Sequence, residues 1–245
     1  MQLTVIGCWG GYPKANEAST GYLLEHKGFK LLLDCGSGVL SKLQQHTAPM
    51  DLDAVLISHY HADHVADIGV LQYAIQIQNL VTGGDKNLPI YGHTLDPDGF
   101  AKLTWKGATT GVAYEKGQEL RIGPFSIAML ETIHPVPCFA FRIEADGEVF
   151  AYTADSAYKE EFADLAKGAD LFLCECNFYE HMDGKAAGHM NSREAGTLAE
   201  KAGVKELMLT HLPHFGDVEQ LAEEAKKYFN GPVQLAKTGL IWKKG

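Results

Sequence analysis

A chain of 245 residues can bury a substantial core, and 46% apolar with 21% charged residues is an ordinary globular composition. The net charge of −10, with no basic block, argues against binding to extended nucleic acid, which depends on Lys and Arg contacts to phosphates. No apolar run is long enough to span a membrane, and the N-terminus lacks the basic start and apolar core of a signal peptide. We therefore expect a cytoplasmic protein without a membrane partner.

At this length the chain can be one α/β domain or two small ones. Neither a repeat nor a low-complexity linker divides it, so we expect a single domain over residues 1–245. The predicted elements, in chain order, are strands over 2–7, 20–26 and 29–34, a helix over 39–45, a strand over 54–58, a helix over 65–82, a strand over 88–92, a helix within 94–105, a loop over 107–117, strands over 125–133, 138–144 and 149–153, a helix over 158–167, a strand over 171–174, a helix over 191–202, a strand over 206–210, a helix over 217–229 and strands within 233–242.

The five cysteines are odd in number, scattered, and form no Cys-x-x-Cys pair. This pattern favours buried free thiols over a disulfide framework or a zinc ribbon.

Four side chains that can bind metals follow the buried strand over residues 54–58: His59, His61, Asp63 and His64. In extended backbone, His59 and His61 point to one face and can hold one ion. Asp63 and His64 diverge at the start of the next helix and can face a second ion. Imidazole suits zinc, iron and manganese, a carboxylate suits harder ions, and two ions about 3.5–4 Å apart suit hydrolysis.

Single polar residues at later strand ends extend this pattern. His134, Asp155 and His211 each end a predicted strand, where side chains of one sheet can converge. Because the first cluster is already present, we interpret these three residues as metal ligands.

Two other features of the sequence each allow two interpretations. Asp34 either orients a ligand histidine or caps the following turn or helix. The glycine-rich segment 7–13 is either simple loop punctuation or a loop close to the site.

The candidate ligands follow one another in an order that resembles the metal-binding motifs of the metallo-β-lactamase superfamily, and the resemblance spans nearly the whole chain. That resemblance implies a four-layer αββα sandwich with the metals at one edge of two sheets. The implied ligand sets are His59, His61 and His134 for the first ion, Asp63, His64 and His211 for the second, and Asp155 as the bridge.

Within the superfamily, the chain is most similar to the tRNase Z-like phosphodiesterase branch. The matching segments are the glycine-rich start that ends in Pro13, Asp34-Cys35-Gly36-x-Gly38, Cys174-Glu175-Cys176-Asn177-Phe178, Gly188-His189-Met190-Asn191-Ser192 and Leu209-Thr210-His211. In that branch the histidine that matches His189 acts with a nearby acid to protonate the leaving group; the alternative is a polar residue at a helix entry. The tRNA-processing enzymes carry a long arm between the positions of His134 and Asp155, where this chain has room for a single hairpin.

These features predict a metal-dependent hydrolase, best described as a phosphodiesterase for a small substrate such as a cyclic nucleotide or a short oligonucleotide. The resemblance implies two divalent ions, with zinc favoured over manganese, and attack by a hydroxide that bridges them. Asp63 would orient the hydroxide, and His189 would protonate the leaving oxygen. The alternatives are a lactone or thioester hydrolase of the same superfamily, a tRNA 3′-processing endonuclease, and a metal-binding protein without activity. The expected partner is a small anionic substrate, and the resemblance is compatible with a homodimer.

Overall fold

The structure, a computed structural model, describes residues 1–244. The chain divides into two compact units, each containing one seven-stranded mixed sheet. Unit 1 comprises Met1–Glu115 and Thr238–Lys243, and unit 2 comprises Lys116–Lys237 and Lys244. Within the described residues, no helix is both long enough and apolar enough to cross a membrane.

The strands and helices are numbered in chain order. The strands are β1 Gln2–Gly7, β2 Gly21–His26, β3 Phe29–Leu33, β4 Ala54–Leu56, β5 Leu88–His93, β6 Thr109–Tyr114, β7 Leu120–Ile122, β8 Phe125–Glu131, β9 Phe139–Ala145, β10 Glu148–Tyr152, β11 Leu171–Glu175, β12 Leu207–Thr210, β13 Val233–Leu235 and β14 Ile241–Lys243. The α-helices are α1 Val39–Leu43, α2 Ala62–Val65, α3 Ile68–Thr82, α4 Pro97–Ala101, α5 Phe162–Leu165, α6 Ser192–Ala202 and α7 Glu219–Ala225, and the 3₁₀ helices are Pro49–Asp51 and Lys185–Ala187.

The sheet of unit 1 has the strand order β14-β1-β2-β3-β4-β5-β6. The strands from β14 to β3 pair antiparallel, and those from β3 to β6 pair parallel. Its core joins inward side chains of the sheet, such as Leu32 and Val55, to Ile68, Leu71 and Ile75 on α3. The parallel strands β3 and β4 are short and wholly buried at their carboxyl ends. Residues that follow these strands are therefore held at one edge of the sheet.

The sheet of unit 2 has the order β13-β12-β11-β10-β9-β8-β7. The strands from β13 to β10 run parallel, and those from β10 to β7 pair antiparallel. The β9–β10 hairpin turns at Asp146 and Gly147, both with positive φ, as the Asp-Gly signal predicts. The predicted capping box of α6 is also present, because the Asn191 side chain accepts from Glu194 N and the Glu194 side chain accepts from Asn191 N.

Most predicted elements are confirmed, but strands β6 and β7 were not predicted and the bounds of several helices differ. The helix predicted over 65–82 is present as α3 but begins at Ile68, and the separate short helix α2 precedes it, because Asp67 interrupts the helical run between them. The Asp67 backbone N–H donates to the Cys35 carbonyl, and its carboxylate accepts from Leu40 N. The loop predicted over 107–117 contains strand β6, which pairs in parallel with β5. Its glycines suggested a loop, whereas tertiary pairing with β5 makes it an edge strand. The helix predicted within 94–105 is confirmed as α4, and the helices predicted over 158–167 and 217–229 are present but shorter.

Candidate metal centre

The residues that follow β3 and β4 form a hydrogen-bonded cluster in unit 1. Asp34, directly after β3, is fully buried, and its carboxylate accepts from the Ser58 backbone N–H at 2.8 Å and from the Ser58 hydroxyl at 2.9 Å. The same carboxylate accepts from His64 Nδ1 at 2.9 Å. Of the two interpretations of Asp34, the structure therefore supports the one in which it orients a histidine. This bond places the proton on Nδ1 and leaves the lone pair on Nε2 of His64 able to bind a metal ion.

His59 and His61 meet as the extended backbone predicts. His59 Nε2 and His61 Nδ1 are 3.1 Å apart. Two nitrogens that bind one zinc ion at about 2.0–2.1 Å in tetrahedral geometry lie about 3.3 Å apart, so this pair fits a single ion. The His64 ring is also close, with its centroid 4.1 Å from that of His59. Three imidazoles thus meet at the carboxyl end of β4.

Asp63 is held by the backbone of two loops. Its Oδ2 accepts from Gly11 N at 2.8 Å, and its carbonyl accepts from the Ser19 hydroxyl and from Thr20 N. The glycine-rich segment 7–13 is therefore a loop in contact with the segment that carries Asp63, and not punctuation alone. Gly36 is required on the other side, since a Cβ there would lie 1.8 Å from the Asp63 carbonyl oxygen. Asp63 Oδ2 is 3.6 Å from His64 Nε2.

The three strand-end residues of unit 2 also form a cluster. Asp155 Oδ2 lies 3.2 Å from His211 Nε2 and 3.9 Å from His134 Nε2, so two imidazoles turn towards one carboxylate oxygen. Asp155 and His211 are buried. His134 Nδ1 lies 3.1 Å from the Gly188 carbonyl, which accepts from it, and this bond leaves Nε2 for a ligand.

His189 belongs to the same cluster through Glu175, a residue to which the sequence analysis gave no role. His189 Nδ1 donates to Glu175 Oε1 at 2.8 Å, and the His189 ring stacks on His211 with centroids 5.0 Å apart. Glu175 is fully buried, and it also accepts from the backbone N–H groups of Ser156 and Met190. Its position at the carboxyl end of β11, next to the strand ends that carry Asp155 and His211, was the signal that could have identified it.

The donor set fits a divalent cation. Buried carboxylates and neutral imidazoles placed edge to edge are unfavourable unless hydrogen bonds or a positive ion compensate them, and His with Asp is a donor set for zinc or manganese. The His and Asp side chains of this chain therefore form groups that could hold metal ions. The cysteines do not contribute, because all five are buried free thiols, and burial raises the pKa of Cys8 to about 12 and those of Cys35, Cys174 and Cys176 well above the usual value.

Residues 30–212 match the family described as "Beta-lactamase superfamily domain". The chain belongs to the β-lactamase superfamily. It is 54% identical to "Probable metallo-hydrolase YhfI" of Bacillus subtilis over 99% of each protein. The crystal structure of that metallo-β-lactamase fold protein superposes with a TM-score of 0.97 at 52% identity, covering 98% of both chains.

A more distant relative is named as a ribonuclease, and one structural neighbour is named as a diphosphatase. The chain is 28% identical to ribonuclease Z of Methanopyrus kandleri over 98% of this chain and 97% of that protein. A crystal structure of a diphosphatase from the PhnP family matches with a TM-score of 0.77 at 17% identity, covering 99% of this chain and 97% of that one, which shows a common fold. These matches confirm the predicted metallo-β-lactamase fold, the predicted superfamily and the prediction of a metallo-hydrolase.

Proposed function

We propose that this hydrolase is a phosphodiesterase that cleaves a small phosphodiester, such as a cyclic nucleotide or a short oligonucleotide. The observation that carries the proposal is the hydrogen bond between Glu175 and His189, together with the stacking of the His189 ring on His211. A histidine that is held by a buried carboxylate beside a metal ligand is placed to deliver a proton to an atom near the metals.

The metal content is part of the same proposal. His59, His61 and His134 would hold one ion, Asp63, His64 and His211 a second, and Asp155 would bridge them. Support comes from the donor geometry inside each unit and from the family match, which runs through all seven residues. Zinc is favoured because most of the proposed ligands are imidazoles, which suit it, and manganese is the alternative.

Two bound ions would supply an activated water and neutralise the charge that develops on the phosphate. The chain's own residues then have separate tasks. Asp63 is held at Oδ2 by Gly11 N, so its carboxylate has a fixed direction from which to orient the attacking water. The Nδ1–H of His189 donates a hydrogen bond to Glu175, so the Nε2 atom carries the proton that the leaving oxygen receives.

The inferred size of the substrate follows from the β9–β10 hairpin and from the charge. Residues 135–154, between His134 and Asp155, contain this hairpin with a two-residue turn and therefore carry no long arm for tRNA. A net charge of −10 repels a long polyanion, while that repulsion is screened beyond about 8–10 Å at physiological salt, so a single phosphodiester can still approach a positive metal site.

The second candidate is hydrolysis of a lactone or thioester. A thiolate leaving group, with a pKa of about 8.5, gains little from a proton donor, whereas an alkoxide gains much. The Glu175–His189 pair therefore favours an oxygen leaving group. Of these two alternatives, lactone hydrolysis is the stronger, because a lactone also releases an alkoxide.

The experiment is a substrate panel on protein reconstituted with zinc or with manganese. Turnover would be measured on bis-nitrophenyl phosphate, a cyclic nucleotide, a short oligonucleotide, a lactone and a thioester, with Asp63→Asn as the control for contaminating activity. We expect turnover of the phosphodiesters that Asp63→Asn abolishes. Lactone or thioester turnover without phosphodiester turnover would contradict the proposal, and loss of all activity at full metal content would favour a binding protein.

A further inference from the structure

An aromatic pair, Phe178 and Phe215, lies beside the Glu175–His189 pair in unit 2. The centroid of the Phe178 ring is 6.4 Å from that of His189 and 6.3 Å from that of Phe215. Both distances are within the range of direct contact between aromatic rings. Two successive ring contacts therefore lead from the proposed proton donor to Phe215.

Phe215 differs from the other phenylalanines of the chain. All eleven lie in the part of the sequence that the structure describes, and Phe215 alone is exposed, by 45%. A single exposed apolar side chain is common and indicates no function by itself. Phe215, however, is held on a fixed turn, because the Tyr179 hydroxyl donates to its carbonyl at 2.9 Å. Gly216, with a φ of 72°, packs so closely that a Cβ there would lie 2.4 Å from the Tyr179 hydroxyl oxygen.

The backbone that positions His189 also positions Phe178. The Phe178 N–H donates to the Met190 carbonyl, and the Ser192 N–H donates to the Phe178 carbonyl. The Phe178 ring packs against Gly184, where a Cβ would lie 2.5 Å from the ring. The aromatic pair is thus held in place before any ligand binds, and such preorganisation lowers the cost of binding.

We propose that the aromatic pair binds the base of a nucleotide, so that the substrates of this enzyme are nucleotide phosphodiesters. The inference rests on the proposed phosphodiesterase function and specifies its substrate class. A nucleotide carries its base one sugar ring away from its phosphate, so a phosphate beside His189 brings the base to Phe178 and Phe215. Every base has a planar face that stacks on an aromatic side chain. We therefore expect binding that depends on the presence of a base more than on its identity.

The charge around the aromatic pair favours an uncharged group at this position. Asp217 is exposed and follows Phe215 by two residues, and burial together with the Asp217 carboxylate raises the pKa of Tyr179. The carboxylate would repel a second phosphate here, whereas a base is neutral. An aliphatic chain is the rival occupant, but it lacks the π-face that makes stacking on Phe215 favourable.

The first test compares three ligands that share one phosphate group. Equilibrium dialysis of the zinc-reconstituted full chain would give the dissociation constants of adenosine 5′-monophosphate, ribose 5-phosphate and hexyl phosphate. Because the phosphate is common to all three, the differences report the group that lies on the aromatic pair. We expect adenosine monophosphate to bind about 5- to 150-fold more tightly than ribose 5-phosphate, which is the factor that stacking of one base contributes. Equal dissociation constants for these two ligands, or binding of hexyl phosphate as tight as that of adenosine monophosphate, would overturn the inference.

Variants of Phe215 locate the effect on the ring. Phe215→Ala should weaken the binding of adenosine monophosphate by about the same 5- to 150-fold and leave that of ribose 5-phosphate unchanged. Phe215→Trp keeps an aromatic face and should keep the wild-type affinity. Ile241→Ala truncates another exposed apolar side chain and should change neither affinity. Unchanged binding of adenosine monophosphate by folded Phe215→Ala, or an equal loss in Phe215→Ala and Phe215→Trp, would contradict the role of the ring. The comparison of ligands on the wild type decides the question if Phe215→Ala does not fold.

Turnover of 3′,5′-cyclic adenosine monophosphate by the same preparations separates this inference from the proposed function. Binding that depends on the base, without turnover of any phosphodiester at full metal content, would support the base site and contradict the phosphodiesterase. Turnover with equal affinities for adenosine monophosphate and ribose 5-phosphate would support the phosphodiesterase and overturn the base site.

Discussion

Replacing Asp34 with Asn should weaken metal binding without removing any metal ligand. Asp34 accepts three hydrogen bonds, two from Ser58 and one from His64 Nδ1. The Asn side chain has nearly the same shape, so its Oδ1 can still accept from Ser58 N. Its NH₂ group, however, would face the Nδ1–H of His64, donor against donor.

The expected magnitude follows from that clash. His64 can relieve it by moving its proton to Nε2, and this proton blocks the nitrogen that binds the metal. Loss of such an orienting partner lowers metal affinity by about 10–100-fold, which corresponds to about 1.4–2.8 kcal/mol. The folded state should lose a further ~1–3 kcal/mol, because Asp34 is fully buried and one hydrogen bond is exchanged for a repulsive contact.

Competition with a chromogenic zinc chelator measures the affinity of each site in the wild type and in Asp34→Asn. The matched control is Asp53→Asn, which removes the same charge from an exposed carboxylate that accepts from Lys30 N. Equal affinities for Asp34→Asn and the wild type would refute the argument that Asp34 sets the tautomer of His64. An equal loss in both variants would mean that net charge alone controls metal affinity.

Three further predictions follow from the sites. Elemental analysis after reconstitution should give two metal ions per chain, and one ion or none would contradict the dinuclear proposal. Asp63→Asn should abolish turnover and weaken binding of the second ion. His189→Ala should keep its metals and lower kcat about 10²–10⁴-fold with a poor leaving group, but much less with nitrophenolate. An equal loss with both leaving groups would remove His189 from the acid role. Tyr60→Phe removes the hydroxyl that donates to the His93 carbonyl at 2.7 Å, so denaturant unfolding should show a loss of about 0.5–1.5 kcal/mol in the free energy of unfolding. An unchanged midpoint would show that this bond does not stabilise the turn that carries Tyr60.

The sequence alone predicted the features whose signals are local. The apolar run before His59 predicted a strand followed by ligands, and the Asp146-Gly147 pair predicted the hairpin. His59 and His61 point to one side because successive residues of extended backbone alternate, and the 3.1 Å between their nitrogens agrees with that expectation. Two interpretations stay predictions: the roles of the seven ligand residues and of His189, and the organisation of residues 1–245 as a single domain.

The features that the sequence missed depend on contacts between distant segments. Asp67 breaks the helix because it bonds to Cys35 and Leu40, which no helical pattern reveals. β6 is a strand because β5 supplies its hydrogen-bond partners, despite the glycines around it. Glu175 resembled one more buried residue of an apolar strand, and its importance emerges only once β11 brings it to His189. Tertiary context overrides local propensity at each of these places.

The most direct test of the proposed function compares catalytic efficiency on two substrates at physiological salt. One is a small phosphodiester, such as a cyclic nucleotide, and the other is precursor tRNA with a 3′ trailer. The short β9–β10 hairpin and the acidic surface predict efficient cleavage of the small diester and poor processing of the tRNA. Efficient, site-specific removal of the trailer with little activity on the small diester would contradict it.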